Sequence, residues 1–269
     1  MNNLILLLNR RAEIETVVGR KIWTSVKVHD LFVPASALQS RLNKFGQNLV
    51  VFTNVDGYEV QLIGSATGLH YRGTNFLVCT AHQVKDSSAQ DVGIVVPERS
   101  SYLSSAGFTR FRATDIVPPG DAEDLYVFDF TPQATSNREL VERFFRLNSN
   151  DFLRDKDDVV AYLAYGCPFV DQKYNIVDEN HVGLVIRSMT CEPQAQPADL
   201  DLGLCRLLSP MDFDPNGLSG GPVFATVLQD HEVVLKFAGV INRSGNGLIY
   251  FIKAKAVQKL LDLTFGHSA

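Results

Sequence analysis

From Leu49 onward the chain is written in short apolar or alternating runs separated by turn-forming residues. Residues 49–52, 58–63, 92–96, 108–111, 159–163 and 223–227 are the clearest. Each has the length of a strand and is too short for a stable helix. Repeated along a chain, that rhythm predicts an all-β barrel or sandwich. With 269 residues, 45% of them hydrophobic, the chain can bury one large core or two tightly joined ones.

Helical periodicity is confined to three places. Leu38, Leu42 and Phe45 share one face behind Pro34. Leu140, Phe144 and Leu147 repeat at helical spacing inside the polar stretch 132–157. Residues 254–265 alternate lysines with apolar residues at helical period and predict a C-terminal helix.

Charge and composition exclude several function classes. The net charge is −5, and no basic run is longer than Arg10-Arg11, so a nucleic-acid partner has no electrostatic footprint. No apolar run approaches the ~18 residues of a membrane helix. Leu4-Ile5-Leu6-Leu7-Leu8 lacks a basic start and is closed at once by Asn9-Arg10-Arg11. It does not read as a signal peptide but as a buried strand or a helix edge, which predicts a cytoplasmic protein. Cys79, Cys167, Cys191 and Cys205 show no Cys-x-x-Cys spacing, and Cys79-x-x-His82 has no second ligand pair. The expectation is therefore four reduced, largely buried thiols, with no metal and no cofactor.

Three segments carry chemistry. Gly217-Leu218-Ser219-Gly220-Gly221-Pro222 sets a serine among glycines, which can fold tightly around the hydroxyl and point N–H groups at one spot. A serine there also fits a plain surface turn. Gly73-Thr74-Asn75-Phe76-Leu77-Val78-Cys79-Thr80-Ala81-His82 ends an apolar run in a histidine, held by the core yet able to reach a cleft. A core or strand-capping histidine has the same look. Ala122-Glu123-Asp124-Leu125-Tyr126-Val127 opens a strand-like run with acids, and Asp121 and Glu123 compete with Asp124 for any role.

Gly217-x-Ser219-x-Gly221 also matches the nucleophile elbow of α/β-hydrolases. That motif needs a strand before the serine, a helix after it and a histidine downstream. Here Asp212-Phe213-Asp214-Pro215-Asn216 reads as a loop and residues 223–227 as a strand. The downstream histidines are His231, in a turn, and His267, near the end of the sequence. The elbow does not fit.

Taken together, the three segments resemble the trypsin-like (chymotrypsin-fold) serine peptidases, of the non-zymogen bacterial type. Asp124 follows His82 by 42 residues (124 − 82), and Ser219 follows Asp124 by 95 (219 − 124). The family's template has the same order at about 45 and 93. Tyr165-Gly166-Cys167-Pro168 resembles the turn after the first strand of the second barrel. Phe237-Ala238-Gly239-Val240-Ile241-Asn242-Arg243-Ser244 resembles the strand that pairs with substrate, and Gly247-Leu248-Ile249-Tyr250-Phe251 a pocket wall. The likeness covers about residues 49–265.

The resemblance implies two six-stranded antiparallel β-barrels. The first would be 49–131 and the second, with the C-terminal helix, 158–269, after an N-terminal extension 1–48 and across a linker 132–157. It implies a serine endopeptidase acting on a protein or peptide. Ser219 would be the nucleophile, His82 the base and Asp124 its orienting acid, with an oxyanion hole of the Gly217 and Ser219 N–H groups. Phe213, Asn242, Arg243, Ser244 and Gly247 would bind substrate. Phe213 would give the pocket an apolar base, while a one-residue slip to Asp212 or Asp214 would make it acidic. Leu218 stands where relatives matured by cleavage carry an aspartate, so activation by a new N-terminus is not expected. That leaves control to an activator or regulatory partner. The alternatives are a catalytically silent binding module on the same fold and a serine esterase.

Overall fold

The computed structural model describes residues 25–53, 55, 59–85, 87–96, 101–110, 121–175 and 181–266. The run Leu4–Leu8 and the end of the expected strand at Phe111 lie outside them. The described chain forms two largely antiparallel β units, one a closed barrel and the other a curled half-barrel, which fits the two-barrel all-β fold expected from the sequence.

The first unit contains β3 (Gly46–Phe52), β4 (Val60–Tyr71), β5 (Thr74–Thr80), β6 (Val92–Val96), β7 (Ser101–Ser104), β8 (Gly107–Arg110) and β9 (Leu125–Asp129). Their order is β7-β6-β3-β4-β5-β9-β8, curled into a half-barrel around Leu49, Leu77, Val92, Ile94 and Phe128. Among the described residues its edge strands β7 and β8 do not pair with each other. The pairing of β3 with β4 slips between Leu49 and Val50, and this bulge brings Gly64 and Ser65 round to face the second unit.

The second unit contains β11 (Asp158–Gly166), β14 (Arg187–Pro193), β15 (Leu202–Leu207), β16 (Pro222–Gln229), β17 (Glu232–Gly245) and β18 (Leu248–Lys253). The order β16-β11-β14-β15-β18-β17 closes through a β16–β17 pairing into a six-stranded barrel. Closure removes the exposed edges that an open sheet would present. A short hairpin of β12 (Lys173–Asn175) and β13 (His181–Gly183) stands apart from both units.

The described part of the N-terminal extension joins the second barrel. Strand β1 (Ser25–Val28) pairs in parallel with β17 at Lys27↔Val234, and β2 (Leu31–Pro34) folds back on it. Pro34 then opens α1 (Ala35–Leu42), which buries Leu38 and Leu42 as their spacing predicts. Between the two units lies an apolar layer centred on Phe224, with Phe145 edge-on to it at 4.9 Å and Phe45, Tyr165 and Phe237 around it. Such pairs add about 0.5–1.5 kcal/mol each beyond the area they bury.

The linker corrects one expectation. Helical spacing predicts a helix through Leu147, but the chain forms only α2 (Thr131–Thr135) and α3 (Arg138–Val141) and then strand β10 (Phe145–Leu147). Strand β3 begins opposite Thr67, so residues 69–71 of β4 have a free side. Strand β10 fills it in parallel, burying Phe145 and Leu147 and turning Arg146 outward. Open backbone positions outweigh a helical period of only three residues. The C-terminal helix forms as expected, α4 (Ala254–Gly266), and buries Val257, Leu260 and Leu261. Asp262 on it accepts a 3.0 Å hydrogen bond from the Tyr71 hydroxyl of the first unit.

Candidate active site

Strand β5 carries Phe76, Leu77 and Val78 through the core and ends at Thr80. Thr80 caps a single helical turn, residues 81–84, through a Thr-x-x-Gln capping box with Gln83. His82 is the second residue of that turn and stands half exposed. Beside β5, β9 pairs Leu125 with Thr80, so the preceding Asp124 reaches His82. Its carboxylate accepts the His82 backbone N–H at 2.9 Å and ring Nδ1–H at 2.6 Å. A carboxylate can only accept, so Nδ1 keeps its proton and Nε2 is left as the basic nitrogen. Thr80 Oγ1 lies 3.3 Å from Nε2, but its own proton goes to Gln83 Oε1 at 2.7 Å.

Of the competing acids, Asp121 is bound instead to Arg243 at 2.8 Å. Asp124 takes the histidine, as the order of motifs predicts.

Ser219 sits in the turn between Asp212 and β16. Gly217 (φ +98°) and Gly220 (φ +86°) adopt left-handed conformations that a side chain would strain. Two peptide units in this turn are anchored by their carbonyls. Asn216 C=O accepts from Phe169 N–H at 2.8 Å, and Leu218 C=O from Gly221 N–H at 3.1 Å. In a trans peptide the N–H points opposite the carbonyl, so the Gly217 and Ser219 N–H groups face away from these anchors. Among the described residues neither has an acceptor.

The first unit grips the turn from the other side. Ser65 Oγ donates to Gly217 C=O at 2.6 Å and accepts Cys167 N–H at 2.7 Å. Thr67 Oγ1 donates to Gly220 C=O at 2.8 Å. Ser219 C=O accepts from Ser65 N–H at 3.1 Å and Gln83 Nε2 at 2.8 Å. The Ser219 hydroxyl itself donates to Asn242 C=O at 2.8 Å.

The residues expected to bind substrate are brought together unevenly. Asn242 is at the serine, nearly buried, and among the described residues its Nδ2 has no partner. Arg243 and Ser244 follow it on β17, with the Arg243 guanidinium over the Tyr250 ring and paired to Asp121. Gly247 (φ +74°) is half of the Asn246-Gly247 turn joining β17 to β18, and its carbonyl is held by Leu207 N–H. Phe213 is half-buried against the second barrel's core, with the Arg187 guanidinium 5.0 Å above its ring. Arg187 is in turn fixed by Asp171 through two hydrogen bonds of 2.5 and 2.9 Å. These bonds hold the Asp171 carboxyl below the usual carboxylate range against the opposing effect of burial.

Ser65, Thr67, Gln83 and the Asp171–Arg187 pair are not among the residues the sequence pointed to. For Gln83 a signal exists, since Thr80-x-x-Gln83 is a helix-start pattern. The others act across strands far apart in the chain and leave no local trace. All four cysteines are buried and unbridged. Burial pushes the Cys79 thiol well up and that of Cys167 up to about 12. Among the described residues no three His, Cys, Asp or Glu side chains group as metal ligands, and no helix is long and apolar enough to cross a membrane. No protein-family model matches this chain, and no curated protein matches it in sequence.

Proposed function

We propose that the protein is a serine endopeptidase of the trypsin-like kind, with Ser219 as nucleophile, His82 as base and Asp124 as the acid that orients it. The observation that carries this reading is the double hold of Asp124 on His82. That hold fixes both the ring and its tautomer, which is what a base must have before it can serve a serine.

In the reaction the Ser219 hydroxyl rotates off Asn242 C=O and gives its proton to His82 Nε2 as Oγ attacks the peptide carbonyl. The carbonyl oxygen becomes the oxyanion and is received by the Gly217 and Ser219 N–H groups. The tetrahedral intermediate collapses as His82 passes the proton to the leaving amine, which leaves an acyl ester on Ser219. A water then gives a proton to His82 and attacks the ester, and the proton returns to Ser219. Substrate would lie along Asn242, Arg243 and Ser244, with Phe213 giving an apolar base to its side-chain pocket. Thiols that remain unbridged suit a reducing, cytoplasmic setting.

One observation favours a second reading. The serine proton is engaged by Asn242 rather than His82, as in a binding module or an enzyme waiting for an activator. The deciding experiment is labelling with a fluorophosphonate at neutral pH, mapped by mass spectrometry, beside Ser219→Ala and His82→Ala. A peptidase gives an adduct on Ser219 that both substitutions abolish. An unlabelled wild-type protein is the binding module's result, or that of a peptidase whose activator is missing.

A further inference from the structure

We propose that Gln83 is a positioning residue that locks the nucleophile's turn to the turn carrying the base; this inference rests on the peptidase reading. Its side-chain amide makes four hydrogen bonds. Oε1 accepts Thr80 N–H at 2.9 Å and Thr80 Oγ1–H at 2.7 Å. Nε2 donates to Ser65 C=O at 3.1 Å and Ser219 C=O at 2.8 Å. Those four use the whole donor and acceptor capacity of an amide. The orientation has one solution, because a backbone N–H faces Oε1 and two carbonyls face Nε2.

The slot around this amide is shaped by what is missing from its walls. A Cβ on Gly64 would collide with Nε2, and one on Gly220 would collide with Oε1 and with the Ser65 carbonyl. Only bare backbone on both sides lets the amide pass from the histidine's turn to the serine's. Gln83 adjoins His82 in sequence and holds Ser219 by its own carbonyl. The distance between base and nucleophile is therefore spanned by one rigid, fully bonded side chain, tied at one end to Thr80 and at the other to Ser219. Its partners Thr80 and Ser65 are fully buried, while Gln83 itself and Ser219 are partly covered.

A helix cap and a positioning strut predict different kinetics. The test compares fluorophosphonate labelling of Ser219 in wild type, Gln83→Met and Gln83→Glu, each alone and combined with His82→Ala, below each variant's melting temperature. Gln83→Met removes the whole amide. Gln83→Glu keeps the one oxygen that accepts both Thr80 bonds, so the helix cap survives, while its second oxygen replaces the donors and meets the Ser65 and Ser219 carbonyls.

Both variants are expected to label to the wild-type end point, but at rates lower by about 10²-fold, the usual effect of a misplacement near 1 Å. The further loss from His82→Ala should be much smaller in the Gln83 variants than in wild type, because the base is already out of place. If Gln83→Met does not fold, Gln83→Glu alone decides. Wild-type rates in a folded Gln83 variant, or a His82→Ala loss of full size in its background, overturn the strut and leave the peptidase reading standing. An unlabelled wild type means that base and nucleophile are not held as a working pair, which overturns the strut whether the protein is a binding module or a peptidase without its activator.

Discussion

Asp124 binds His82 twice, through the backbone N–H at 2.9 Å and through ring Nδ1 at 2.6 Å. Two acceptor oxygens on one side chain therefore fix the position of the residue and the tautomer of its ring. Asp124→Asn preserves the shape but offers one acceptor and one donor. It can satisfy the backbone N–H or the Nδ1–H, and the other then meets an NH₂ group. The neutral ring is expected to move its proton to Nε2, where it cannot take one from Ser219. Labelling of Ser219 should fall by about 10⁴-fold, the size of effect that a wrong histidine tautomer has on a serine–histidine–aspartate mechanism. The melting temperature should change little. A labelling rate within tenfold of wild type would remove Asp124 from the site.

How much of this was legible follows from what each contact depends on. His82, Asp124 and Ser219 each close or open a strand whose apolar run is visible, so type, order and spacing located them. The C-terminal helix and α1 were legible because their apolar faces repeat over whole turns. Strand β10 was not, since Leu140, Phe144 and Leu147 offer a helical period that the open side of β4 overrides. The joining of β1 to β17 through a single parallel pairing left no pattern either. The grip of Ser65 and Thr67 on the serine turn depends on the bulge at Gly64, which exists only once β3 and β4 have paired. Polar contacts between distant strands are products of the fold, and one sequence records them only as isolated serines and threonines.

Ser65 has no exposed surface, and its hydroxyl satisfies two backbone groups at once, Gly217 C=O and Cys167 N–H. Ser65→Ala leaves the buried Cys167 N–H and the partly covered Gly217 C=O without that partner, a change that costs about 1–3 kcal/mol. Denaturant unfolding should show a lower midpoint with an unchanged slope. Loss of the Gly217 anchor should also slow labelling of Ser219, since that carbonyl helps to hold the oxyanion turn in place. A midpoint equal to wild type would mean that the hydroxyl is not engaged as described.

The Asp171–Arg187 pair gives the stability a specific pH dependence. Hydrogen bonds from Arg187 are the main cause that lowers the Asp171 pKa. A depressed carboxyl contributes stability that is fully present above its unfolded pKa and is lost as pH falls through its folded value. Wild type should therefore melt above Asp171→Asn at neutral pH, with the gap closing in acid, below the ordinary aspartate pKa of about 4. Arg187 also faces Asp212, which can keep part of its anchoring in the variant. A melting gap that does not change with pH would assign the effect of the substitution to packing instead.

Cys79, Cys167, Cys191 and Cys205 have no exposed surface, and none is bridged. Thiolate is the reactive form, and burial disfavours it at Cys79 and Cys167. A thiol reagent such as dithionitrobenzoate at pH 8 should therefore find the native protein silent and all four thiols reactive in denaturant. Cys167 is the one whose backbone is tied to the site, through its N–H to Ser65. In Ser65→Ala it should become the first thiol to react, ahead of Cys79 behind the histidine, because losing that anchor loosens the end of β11 before the rest of the barrel opens. Mass mapping of the first adduct checks this order. A first adduct on Cys191 or Cys205 would show that the barrel opens from β14 and β15, away from the serine turn.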